Sequence, residues 1–179
     1  MPANPQPEGP TAILHGALEV IAAEGVHKTT HRKIAAAAGV SPGLCTYHFA
    51  DLQEILERAF ALLGDTLASR YAALLPETLD REGAVEAVTT IICGPEVADR
   101  GDQQLIYEMY AYAGHDEAVG TMAAELIARS YESLAPHFGE RARVAIDALI
   151  EGWTIHRTLQ SAPPDRALVR DAVAALAAL

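Results

Sequence analysis

Between Thr30 and His48 the chain gathers side chains that suit a polyanion: the Thr30 hydroxyl, His31, the Tyr47 hydroxyl and His48. Hydroxyls and imidazoles, with the free amides at helix starts, are the groups that hold backbone phosphates. Arg32 can do something different, because its planar fork can pair with O6 and N7 of one guanine. Pro42, Gly43, Leu44 and Thr46 offer no bidentate hydrogen bonding. They would contribute shape and apolar contact, for example with thymine methyl groups.

Such groups act together only if two short helices hold them, and the stretch Thr29 to Phe49 has the signals for that. Thr30 is an N-cap for one helix, and Ser41 followed by Pro42 supplies an N-cap and a first-turn proline for the next. Between them Gly39 can take positive φ, Ala35 is small enough for a helix crossing, and Ile34, Val40, Leu44 and Cys45 can face inward. This is the layout of a helix-turn-helix, whose second helix, from Ser41, presents its N-terminal residues to the major groove. Upstream, Ile13, Leu14, Ala17, Leu18, Ile21 and Ala22 recur at helical spacing and end at Gly25, giving a helix whose apolar stripe packs on the hairpin. Downstream, Asp51 and Glu54 form a D-x-x-E capping pattern opening a fourth helix. Its apolar positions Leu52, Ile55, Leu56, Phe60, Leu63 and Leu67 run toward Leu75 and Pro76.

Gly25, Thr29 and Thr30, then RKIAAAAGVSPG from Arg32 to Gly43, then TYHF from Thr46 to Phe49 and the acidic cap of a long helix resemble the N-terminal domain of the TetR family of bacterial transcriptional regulators. The likeness covers about the first third of the chain. It implies a DNA head joined by the fourth helix to a ligand-binding body, with phosphate or groove contacts at Tyr47 and His48. One position departs: where the family commonly has a phosphate-binding lysine near the start of the fourth helix, this chain has Leu52. Either a phosphate contact is lost or Leu52 adds to the core between head and body.

Half of the 179 residues are apolar, Ala and Leu dominate, and few β-branched runs alternate, so the fold class is all-α. The expected organisation is a disordered, proline-rich tail over residues 1–10, a helix-turn-helix domain over 11–50 and a helical regulatory domain over 51–179. The formal net charge of −11 is unevenly placed. Lys28, Arg32 and Lys33 balance Glu8, Glu19 and Glu24 within residues 1–50, so all of the excess negative charge lies beyond them. A neutral head approaches DNA better than the acidic body, yet its few cations imply weak non-specific binding and a shallow salt dependence. No segment resembles a membrane span or a signal peptide, which points to a cytoplasmic protein. Cys45 and Cys93 lack metal-ligand spacing and read as buried thiols; no metal or cofactor is expected.

Beyond Pro76, breaks at Asp80 to Gly83, Gly94-Pro95, Gly114 to Asp116, Pro136 to Gly139 and Pro163-Pro164 divide the body into helices near 81–93, 101–114, 117–135, 140–160 and 165–178. The last two carry more apolar surface than a small monomer buries, so Ile146, Leu149, Ile150, Leu168, Val173 and Leu176 are expected at a homodimer interface. A dimer implies a roughly palindromic double-stranded DNA operator. Aromatic and polar residues, with Tyr107, Tyr110 and His115 in one segment and Trp153 and His156 in another, suit a pocket for a small hydrophobic or aromatic effector. If that effector favours a body conformation with wrongly spaced heads, DNA is released, and the long fourth helix is the lever. Two other classes compete. A ligand-sensing dimer that binds a protein partner would fit the low positive charge, whereas a small helical enzyme finds no nucleophile, zinc or phosphate-loop motif in its favour.

Overall fold

The computed structural model describes residues 9–95, 97–160 and 162–179. Among the described residues the chain forms nine α-helices and no strand: α1 Pro10–Glu24, α2 His31–Ala37, α3 Pro42–His48, α4 Leu52–Leu74, α5 Arg81–Cys93, α6 Arg100–Ala113, α7 Glu117–Leu134, α8 Glu140–Leu159 and α9 Arg166–Leu176. A single 3-10 turn, Val26–Lys28, links α1 to α2. The helices expected from the breaks in the sequence are present, with ends that differ by no more than a residue or two. Of the expected tail, residues 1–8 lie outside the described residues. Pro10 itself is the first residue of α1, where its missing N–H costs nothing.

Aspartates start most of the helices. Asp51, Asp80, Asp99, Asp116 and Asp165 accept backbone amides at the starts of α4, α5, α6, α7 and α9, each satisfying an orphan donor and placing negative charge at the positive helix end. The D-x-x-E pattern is only half a capping box. Asp51 accepts from the Glu54 amide at 2.9 Å, but the Glu54 carboxylate turns to the Ala50 amide at 2.7 Å. A complete box forms instead between Asp99 and Asp102.

Two apolar cores result. The smaller joins Ile13 and Ala17 of α1, Ile34 and Ala35 of α2, Cys45 and Phe49, and reaches into α4 through Ile55 and Ala59. The larger is built by the rest of α4 and by α5 to α9, with Phe60, Val88, Met109, Val119, Leu134, Ile146, Val169 and Val173 all nearly or fully inaccessible. Leu18 and Leu52 touch both cores. Leu52 therefore packs at the seam between head and body, the structural role open to it. No described helix is long and apolar enough to cross a membrane.

Candidate nucleic-acid interface and effector pocket

The helix-turn-helix owes its shape to two glycines. Gly39 has φ 66°, in the left-handed region where a side chain is strained, and it ends α2. Gly16 of α1 lies so close to α2 that a Cβ there would meet the Ala38 amide at 2.8 Å and the Ile34 carbonyl at 2.9 Å. The closest approach thus involves Gly16, which the hairpin signature does not include, alongside the buried Ala35. With the pair fixed, α3 turns the Cys45 side chain fully inward. Its opposite side leaves Ser41, Pro42, Gly43, Thr46 and Tyr47 exposed, with Leu44 half-buried beneath.

Tyr47 is 81 % exposed, and its ring meets His48 edge-on at 4.9 Å, so its hydroxyl is presented to solvent rather than packed on α1. Thr30 caps α2, accepting from the Lys33 amide at 3.4 Å. Ser41 sits at the cap position of α3, but its hydroxyl makes no capping bond. Arg32 is exposed at the start of α2 and engages no described residue. Lys33, by contrast, is paired with Glu24 at 2.6 Å and donates to the Lys28 carbonyl. His31 needs correcting as a phosphate donor: it is half-buried, and its Nε2 is sealed from solvent with no hydrogen-bond partner.

The head is tied to the body through α6. A Glu108 carboxylate oxygen accepts from the Val26 amide at 2.9 Å, just ahead of the hairpin. At the end of the same helix the Tyr112 hydroxyl donates to Gln53 of α4 at 2.7 Å, and Gln53 in turn donates to Asp116. These pairings carry no signal in the sequence, because nothing in it sets residues 53 and 112 side by side.

Behind this helix lies a pocket of about 660 Å³, the open space at its mouth included. α4 contributes Leu67, Ala68 and Tyr71; α5 and the following loop contribute Ile91, Ile92, Val97 and Ala98; α6 contributes Gln103 and Ile106. Leu126, Arg129, Ser130 and Ser133 of α7 and Ile150, Glu151, Thr154 and Arg157 of α8 close it. Burial pushes the Glu151 carboxyl up to about 7, with buried Asp147 one turn away raising it further against the Tyr110 hydrogen bond. The Asp147 carboxyl is itself pushed up by burial, opposed by a hydrogen bond from Ser130.

None of the five residues expected to bind an effector lines this pocket. Tyr107 and Tyr110 border a separate, more open groove with Ile127, Glu151 and Ile155, and only Tyr110 comes close, donating to Glu151 at 3.1 Å. His115 and His156 are exposed. Trp153 packs on the larger core and meets His156 at 5.4 Å. The aromatic cluster seen in the sequence is thus spread over several faces, because α6 and α8 turn their side chains in different directions along each turn.

The expected dimer contacts also divide. Ile146, Ile150 and Val173 are at most 4 % exposed within one chain, Leu149 and Leu176 are half-buried, and Leu168 is 59 % exposed. The correction has a simple cause: α9 covers its own α5 and α8, burying Val169 and Val173. Among the described residues, the large apolar side chains left exposed are, apart from Tyr47 and Tyr107, Val144, Ile155 and Leu159 of α8, Leu168 of α9 and Leu179 just beyond it.

A helix-turn-helix with an exposed polar face, carried on a helical body with an internal pocket, defines the class of DNA-binding regulators. Residues 13–59 match the model of bacterial regulatory proteins of the TetR family. SCO7518 of Streptomyces coelicolor A3(2), designated a transcriptional regulator, is 34 % identical over 94 % of this chain and 98 % of its own, with a TM-score of 0.84. SCO1917 of the same organism, a TetR-family member, is 27 % identical over 96 % and 99 %, with a TM-score of 0.80. The multidrug binding protein EbrR, in complex with ethidium, is 27 % identical over 95 % and 99 %, with a TM-score of 0.78. No curated protein sequence matches the chain. The chain belongs to the TetR family of transcriptional regulators, DNA-binding proteins rather than enzymes.

Proposed function

We propose that this regulator is a cytoplasmic, ligand-released repressor that binds a roughly palindromic operator as a homodimer. The observation that carries the reading is the face of α3, where Cys45 anchors the helix and Tyr47 stands 81 % exposed beside Thr46 and an uncapped Ser41. A tyrosine held this far out of a well-packed domain suits a phosphate or groove contact. Arg32, with no partner among the described residues, is the base reader, and Thr30, Pro42, Gly43, Leu44 and His48 complete the contact surface.

The effector enters the pocket between α4 and α8. Structures of EbrR hold imidazole, proflavin, ethidium and malachite green, all aromatic, and the apolar walls here suit a ligand of that kind. α6 contributes Gln103 and Ile106 to the pocket and Glu108 and Tyr112 to the contacts with the head, so it shares the lever role with α4. Dimerisation uses the exposed apolar residues of α8 and α9, with Leu168 the contact kept from the sequence reading and Val144 and Leu159 added to it.

The test is a salt titration of binding between the full chain and DNA from its own upstream region. Saturable, sequence-selective binding is expected, weakened roughly 5- to 150-fold by Arg32→Ala and about tenfold by Tyr47→Ala. If selection from random DNA also yields no preferred site, the repressor reading fails and the exposed α3 face is a protein-docking surface.

A further inference from the structure

The pocket's charged residues are not equivalent. Arg129 extends to Asp65 at 2.6 Å, and Arg157 turns to the end of α5, donating to the carbonyls of Ile92 at 2.9 Å and Gly94 at 3.1 Å. Glu151 is half-buried at the wall, accepts one hydrogen bond, from Tyr110, and forms no ion pair with any described Lys or Arg. The half-buried Tyr71 lines the same space with a hydroxyl that bonds to no described residue. A carboxylate without an ion pair and a phenol without a hydrogen-bond partner, lining one cavity with largely aliphatic walls, are a poor way to build a core and a good way to receive a ligand that brings the missing charge.

We propose that this pocket takes an apolar organic cation, with Glu151 as its counter-charge, Tyr71 as an aromatic wall against the cationic end, and Leu67, Ile91, Ile106 and Ile150 around the hydrocarbon. The inference rests on the ligand-responsive reading above and names the chemistry of its effector. An anionic ligand is disfavoured because both arginines are turned to partners of their own.

Affinity for a permanent cation then depends on pH. Glu151 is faced by Tyr71 from α4, Tyr110 from α6, Arg129 and Ser130 from α7, and Asp147 and Arg157 on α8. Burial drives both tyrosine hydroxyls above their ordinary range, so neither ionises near neutrality. With Glu151 at about 7, cation binding displaces its proton, and affinity rises as pH goes from 6 to 8.

The probes are phenyltrimethylammonium and its neutral isostere tert-butylbenzene, titrated calorimetrically into the DNA-free full chain. The cation is expected to bind at least about tenfold more tightly at pH 8, to lose about tenfold by pH 6, and to lose both its preference and its pH dependence in Glu151→Gln. Asp147→Asn, one turn away, should keep the preference, which separates a counter-charge from general damage to α8. Equal binding of the two probes, an unchanged preference in Glu151→Gln, or no binding of the cation at millimolar concentration overturns the proposal. DNA release is read separately: a selective cation that leaves the operator complex intact upholds the pocket assignment and removes the effector role instead.

Discussion

The DNA head and the regulatory body solve opposite packing problems with the same element type. In the head, α1 to α3 and the first turns of α4 close around small and medium apolar side chains, so tightly at Gly16 that one added methyl would strike backbone. In the body, α4 to α9 leave a pocket, keep Gln103 and Asp147 out of water and set the half-buried Glu151 at its wall. A filled core holds one shape, as a surface that must fit DNA requires; an underfilled core with poorly compensated polar groups has something to gain from a ligand. The contrast suggests where rigidity and responsiveness are divided in the molecule.

The sharpest way to break that contrast is to relieve the body of the half-buried carboxyl at its pocket wall. The Glu151 carboxyl lies at about 7 in the folded chain against an ordinary 4.5, so the native state holds the extra proton between these values. That contribution is full below about 4.5 and is lost as pH rises through about 7. Glu151→Gln should therefore be more stable than wild type at pH 8 by on the order of 3 kcal/mol and close to it at pH 4.5. Urea unfolding at the two pH values measures the gap, and a gap that does not widen with pH would mean the carboxylate is compensated in the fold.

Filling the head should do the reverse. Gly16→Ala pushes a Cβ against the Ala38 amide and the Ile34 carbonyl, which should cost roughly 1–3 kcal/mol. Operator affinity should fall while pocket ligand binding on the free protein stays within about twofold, as expected for distant sites. Loss of both activities together would show that head and body share a single cooperative core through Leu18 and Leu52.

The smallest expected effect lies at the joint. Glu108→Gln weakens the contact with the Val26 amide and should reduce the effector's influence on DNA affinity by about 0.5–2 kcal/mol. Each binding reaction measured alone should change less than their coupling. If the coupling is untouched, communication runs through α4 without α6.

Much of the head was legible because its signals are local. Thr30 caps its helix, Gly39 takes positive φ and Pro42 opens α3, and each depends on residues within one turn. The body helices were legible for the same reason, since Gly, Pro and Asp mark their ends. Gly16 was not, because its role is a contact between α1 and α2. The pocket was not either: aromatic residues drew attention to Trp153 and His156, whereas the cavity is lined by Tyr71, Ile106 and Glu151, which look ordinary on their own helices.

The sequence by itself determined the family, the all-helical class, the helix ends and the hairpin that meets DNA, because caps, turns and 3.6-residue periodicity act over a few neighbouring residues. Only the tertiary structure decided that Val173 and Ile146 serve their own chain's core while Leu168 stays open, that Leu52 bridges two cores, and that one of many acidic residues, Glu151, sits half-buried at a pocket wall. Burial is a property of where helices cross, and crossing geometry sums many weak contacts between residues far apart in the chain.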